Sequence, residues 1–179
     1  MSTCPPNTVL SQGNLLQGLS DEGLRINVIS SCAKLVLTAA PGTDVTPPTI
    51  MANGKALQSC GEREIKNCIY QTMCVVSGPP CPINGILIQA EAYQGLSSRE
   101  QLIVLAQNLV NNTIGQITPQ TAYYALSERD QWIAIATLMN ILGTGSNPVP
   151  NTLLANSPTF QGASQREEMD GIVQQACNL

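Results

Sequence analysis

The side chains with the most chemistry in this chain are seven cysteines and a series of Arg-acid pairs. The cysteines stand at 4, 32, 60, 68, 74, 81 and 177, and no histidine accompanies them. A thiolate can be a nucleophile, a metal ligand or a redox centre. Without histidine there is no Ser-His-Asp triad, no Cys-His dyad and no His-containing metal site. An all-Cys zinc site would need closer pairs than Cys60, Cys68, Cys74 and Cys81 provide. The odd count, with an N-terminus (MSTCPPNTVLSQ) lacking the basic and apolar regions of an export signal, does not suggest a secreted disulfide framework. The expected state is reduced thiols filling space as small apolar residues, with a disulfide or metal cluster as the alternative. The pairs Arg63-Glu64, Arg99-Glu100, Arg129-Asp130 and Arg166-Glu167 would be catalytic only if they converged on one cleft. Helix capping plus solvated charge accounts for them. Glu167, Glu168 and Asp170 could hold a divalent cation, but at a helix start they complement the dipole. The run Gly-Thr-Gly-Ser at 143–146 has no strand before it and no lysine after it, so it reads as a helix terminator, not a phosphate loop. No catalytic, cofactor-binding or metal-ligating residue is assigned, and no cofactor is expected.

These residues occupy fixed places in a unit written five times, with starts near 6, 47, 83, 113 and 150. Residues 47–64 and 150–167 align without a gap, matching Pro47 with Pro150, Asn53 with Asn156 and Arg63-Glu64 with Arg166-Glu167. Each unit opens with an apolar pair, such as Val9-Leu10 or Ile50-Met51, of which the fourth copy keeps only Ile117, followed by a larger apolar residue: Leu16, Leu57, Tyr93, Tyr123 or Phe160. That spacing predicts a short helix, which Pro119 and Pro158 must shorten in two copies. A turn then leads to a capping residue: Ser20, Gly61, Ser97, Ser127 or Ser164. Three residues on stands Glu64, Glu100, Asp130 or Glu167 in four copies, the capping-box spacing. Gly61 can supply only part of a box, and the first copy has Gly23 where the acid should be.

The second helix of each unit is longer, near 20–38, 61–76, 97–112, 127–142 and 164–177. Its core positions recur as an apolar stripe: Val28, Ile29 and Cys32; Ile69, Tyr70 and Met73; Leu105, Ala106 and Leu109; Ile135, Ala136 and Met139; Ile172, Val173 and Ala176. That spacing is one face of an amphipathic helix. Cys32 stands where other copies have Met73 and Leu109. Cys60 stands where they have Leu96 and Leu126, and Cys74 and Cys177 where one has Val110. Exchange with Leu, Met and Val marks core filling. Trp132 replaces Leu102 of the neighbouring copy and is read as core, with an interface anchor as its alternative.

The fold expected is therefore all-α: one domain, 1–179, of five helix-turn-helix repeats arranged as a small solenoid or a closed bundle. Hydrophobic residues make up 43%, enough for a core, while charged residues make up only 11%. The net charge is −4, and the eight Lys and Arg are scattered along the sequence, so no nucleic-acid footprint is expected. No apolar run reaches the length of a membrane span. Low charge predicts that much of the surface meets other protein.

The turn-and-cap segments Tyr93-Gln-Gly-Leu-Ser97 and Phe160-Gln-Gly-Ala-Ser164, with the late Cys74 and Cys177, resemble repeats in proteins encoded by tailed phages. The likeness is loose but spans nearly the whole chain, and it brings no catalytic motif. It implies a non-enzymatic virion component: head decoration, neck, tail or fibre attachment. Its partners would be other subunits of the assembly, possibly further copies of itself, with no nucleic acid, membrane or small-molecule substrate. Such a protein is located in the virion after assembly in the host cytoplasm. A soluble helical adaptor that binds another protein is the alternative, and a thiol-dependent redox enzyme ranks last.

Overall fold

The computed structural model describes residues 6–12, 14–77, 95–113, 120–149 and 164–179. Among them are seven α-helices and no strand. Five are long: α2 (Asp21–Ala39), α4 (Glu62–Ser77), α5 (Ser98–Asn111), α6 (Glu128–Thr144) and α7 (Gln165–Asn178). Two are short: α1 (Pro6–Gln12) and α3 (Pro47–Asn53). Tight 3-10 turns at Asn14–Gly18, Lys55–Ser59 and Thr121–Ala125 lead into α2, α4 and α6. The unit starts near 83 and 150 lie outside the described residues, as do Tyr93, Ile117, Phe160, Pro119, Pro158, Cys4 and Cys81.

The long helices close into a ring. Going around it, α2 packs on α6, α6 on α4, α4 on α7, α7 on α5, and α5 back on α2. Helices consecutive along the chain are not ring neighbours; each packs mainly against helices two or three units away. This is the bundle alternative, not the successive stacking of a solenoid. All five helices point the same way and lie nearly in register. Asn108 Nδ2 of α5 donates to the Val173 carbonyl of α7 at 3.2 Å, and Asn112 Nδ2 donates to that of Ala176 at 2.8 Å. Parallel neighbours require the chain to return after each long helix. Among the described residues the short segments sheathe the ring, with α1 lying on α5, α3 on α6, and the Thr121–Ala125 turn on α2.

The expected stripe is buried: Val28, Ile29, Cys32, Ile69, Met73, Leu105, Leu109, Ile135, Met139, Ile172 and Val173 are all fully enclosed, and Cys60 nearly so. The amphipathic reading is incomplete, however. Every residue from Gln101 to Leu109 in α5, and from Gln131 to Asn140 in α6, is buried. These helices have ring neighbours on both flanks, the bundle axis inside and return segments outside, so their middles have no wet face. A helix buried all round excludes unpaired charge but tolerates hydroxyls and amides that find partners. Ser30 and Thr137 accordingly donate to carbonyls one turn back, Ile26 and Ile133, each at 2.8 Å. All-round burial thus explains much of the low charge that the sequence suggested was a sign of covering partners.

Candidate functional site

The long helices all begin at one end of the ring, and their caps are built from the repeated residues. Ser97 accepts from the Glu100 amide at 3.1 Å while Glu100 accepts from the Ser97 amide at 3.0 Å, a reciprocal box that Ser164 and Glu167 repeat. Ser127 accepts from the Asp130 amide at 3.2 Å, and Ser20 accepts from that of Gly23 at 3.0 Å. Gly61 makes the acid half alone: its amide donates to Glu64 at 2.8 Å.

The arginines beside these acids do something the sequence did not reveal. Arg99 Nη2 donates to the carbonyls of Gln17, at 2.8 Å, and Leu19, in the turn before α2, while Nη1 pairs with Asp21 at 2.9 Å. Arg129 repeats this on Gln58, at 2.8 Å, and Cys60, in the turn before α4, and Arg166 reaches the Leu96 carbonyl before α5. Arg63 Nε lies 3.7 Å from Glu168 of α7. Reading these arginines as solvated charge is therefore corrected. A planar guanidinium presents several donors at once, and here it joins each helix start to its ring neighbour.

The reading of the charges as scattered also changes. Apart from Lys34, Asp44, Lys55 and Glu91, every charged residue falls in the six positions that follow a long-helix cap. Scattered in sequence, they gather at one end because the units are parallel. There they surround a pocket of ≈ 230 Å³ lined by all five helices. Position one after each cap supplies Asp21, Glu62, Ser98, Glu128 and Gln165. Position five, one turn deeper, supplies Arg25, Lys66, Leu102, Trp132 and Met169. Arg25 donates to Gln131 at 2.7 Å and to Glu128 at 3.2 Å. The Lys66 ammonium pairs with Glu62 at 3.4 Å and lies 5.4 Å from the centre of the Trp132 ring. Trp132 is thus nearly buried but lines a cavity.

Two acids leave the surface altogether. Glu168 and Asp170 are buried between α7 and its neighbours, so the dipole reading fits Glu167 but not these two. Asp170 accepts from Gln101, and both Glu168 oxygens lack a hydrogen-bond partner. Burial pushes the Glu168 carboxyl up to about 7, against the pull of Arg63 and Lys66. Burial likewise pushes Asp170 up to about 6, opposed by Arg166 and by the Gln101 hydrogen bond. Among the described residues, no group of three or more Cys, Asp and Glu is placed to hold a metal ion.

The cysteines divide. Cys32, Cys60 and Cys68 are free and buried, and burial pushes the thiols of Cys32 and Cys68 up to about 12. A thiol held protonated is a poor nucleophile. Cys74 and Cys177 are disulfide-bonded, which corrects their reading as reduced core residues. Their exchange with Val110 reports size and burial, and half of a cystine satisfies both.

The opposite end has a second cavity of ≈ 430 Å³ among the ends of α2, α3 and α6, lined by Val36, Ala39, Ala40, Thr43, Asn53, Ile141, Leu142, Gly145 and Asn147. No lining residue is charged. No helix among the described residues is long and apolar enough to cross a membrane. Compared with protein-family models, curated proteins and solved structures, the chain matches none.

Proposed function

We propose that this protein is a non-enzymatic structural or assembly subunit acting through protein–protein contacts, as the head-decoration, neck, tail or fibre-attachment component of a tailed-phage particle. The observation that carries the assembly reading is the polarity of the ring: nearly all charge sits at the helix starts, and the cavity at the other end is lined without any. A subunit seated by one end needs that division, because an uncharged face sheds its water at lower cost than a charged one. The repeated charged residues are also committed, as caps, latches or buried acids, and the free thiols of Cys32 and Cys68 are held protonated. The assignment to a phage rests on the turn-and-cap likeness alone. Mass spectrometry of purified particles tests it: the protein should be present at fixed stoichiometry with the other subunits. Its absence from particles, with one cellular protein recovered in constant ratio instead, would replace this reading with a soluble adaptor.

A further inference from the structure

We propose that the pocket at the helix starts binds a small zwitterion with an apolar side chain: a free α-amino acid of the leucine or methionine kind. The pocket is a cup, not a channel. Below its walls, the next inward positions by helical spacing are Val28, Ile69, Leu105, Ile135 and Ile172, all fully enclosed. Its ≈ 230 Å³ suits a small metabolite and falls below the usual range for drug-sized ligands.

Charge in the cup is ordered in two directions. By depth, the acids Glu62 and Glu128 stand at the rim with side chains 64% exposed, and the cations Lys66 and Arg25 stand beneath them at 12% and 10%. Around the ring, α2, α6 and α4 are neighbours and bring all of these charges together, with Trp132 between Arg25 and Lys66. The remaining wall, from α7 and α5, offers Met169 and Leu102 at the depth of these cations, with Ser98, Gln101, Gln165 and Arg166 completing the lining.

Complementing this arrangement takes an anion held deep, a cation held at the rim and an apolar group on the opposite wall. The rim and deep charges approach within 3.2 and 3.4 Å of each other. Opposite charges so close call for an ammonium and a carboxylate on the same carbon, as in an amino acid. A plain carboxylate, by taking the deep cations, would leave the rim acids without the partners they now have, and a plain amine, by taking the rim acids, would leave the deep cations so.

The sole tryptophan of the chain lines the cup, so its fluorescence reports occupancy directly. The full chain is titrated with L-leucine and L-methionine, followed by both Trp132 emission and calorimetry. Saturable binding of at least one is expected, with leucinamide and 4-methylpentanoate at least tenfold weaker. Lys66→Met should weaken binding at least tenfold. Should that variant fail to fold, Glu62→Gln, at the exposed rim, should weaken it several-fold. No saturable response to either amino acid overturns the proposal. So does 4-methylpentanoate or leucinamide binding as tightly as leucine, or wild-type affinity in a folded Lys66→Met or Glu62→Gln variant.

Discussion

The two ends of the helix ring are built on opposite principles. At the start, serines, acids and arginines satisfy orphan amides and carbonyls through side chains and across unit boundaries. At the finish, no long helix carries a basic residue in its last turn, and the ends rely on backbone geometry, as where Gly145 closes α6 in a left-handed conformation (φ 72°), and on neutral amides such as Asn112 and Asn140, which donate to the carbonyls of Ala176 and Ser146. Cations near a helix C-terminus are ordinarily favourable. Their absence from all five leaves the cavity at that end lined without charge. One end is thus held by charged polar bonds, and the rest by packing with a few neutral amide bonds. Substitutions should separate the two regimes.

Packing should dominate stability. Met139 of α6 is fully enclosed beyond the charged mouth, so Met139→Ala should cost about 2–5 kcal/mol through lost transfer energy plus a cavity. Chemical denaturation would show this as a lower midpoint at unchanged slope. A cost below 1 kcal/mol would mean that the ring interior is loosely filled.

A second packing test concerns how closely the sheath approaches the ring. A Cβ added at Gly54, just after α3, would fall 2.2 Å from Thr137 Oγ1 and 3.1 Å from Ile133 Cγ2 of α6. Gly54→Ala should therefore destabilise by about 1–3 kcal/mol, as overpacking does. Adding Thr137→Ala removes the nearest obstacle and should recover part of the loss, which a double-mutant cycle in thermal unfolding would measure. Strictly additive losses would contradict the contact.

Elements that obey local rules were legible in the sequence, and relations between units were not. Ser97 with Glu100, or Gly61 with Glu64, is a bond between residues three apart, and its spacing is visible in the chain. The stripe through Val28 and Ile69 follows from one helix turning through 3.6 residues. The order of the ring depends on the neighbour of α2 being α6, more than a hundred residues away, and no spacing encodes that. The role of Arg99 and Arg129 was hidden for the same reason: their acceptors are backbone carbonyls of Leu19 and Cys60, which any residue supplies. One signal was available. An arginine repeated in four units at the second position after the cap is more regular than solvated charge requires, and it could have been read as a contact between units. The pocket became visible only once the helices were known to be parallel, because only then do five separate positions form one wall.

The latches belong to the polar regime and should matter less than packing. Arg129→Lys keeps the charge but cannot place two donors on Gln58 and Cys60 as the guanidinium fork does. A loss of about 1–2 kcal/mol is expected, near the low end of the roughly 1.5–3 kcal/mol for hydrogen bonds from charged donors, because lysine can still make one of the two. This corresponds to a Tm lower by roughly 2–8 °C for a chain of this size. A matching loss in Arg99→Lys would show that equivalent latches act alike, and no loss in either would reduce them to surface contacts.

The buried acids give this end a pH response of predictable sign. Glu168 binds its proton more tightly in the folded protein, near pH 7, than at the ordinary carboxyl value of 4.5. A group raised on folding contributes stability that is complete below its unfolded pKa and lost as pH rises through its folded pKa. Asp170, raised to about 6 from 3.8, acts in the same direction. The Tm should therefore fall by a few degrees between pH 5 and pH 8. Glu168→Gln should flatten the upper part of that fall, since glutamine already occupies the equivalent position as Gln101 and Gln131. A Tm that rises with pH over this interval, or a variant with an unchanged profile, would mean that Glu168 is ionised throughout.

The smallest effect belongs to the rim of the cup, and its smallness carries the argument. Glu62 pairs with Lys66 at 3.4 Å, but its side chain is 64% exposed, and exposed pairs on adjacent helical turns contribute about 0.3–0.5 kcal/mol. Glu62→Gln should thus change stability by less than about 0.5 kcal/mol, and added salt should reduce even that. Calorimetric unfolding at low and high salt measures both. If the substitution instead cost well over 1 kcal/mol, the rim charges would be part of what holds the ring closed, and the starting end could not be divided into latches that bind the units together and a rim free to meet something else. A near-zero cost leaves Glu62 as a carboxylate at the opening that the fold does not require.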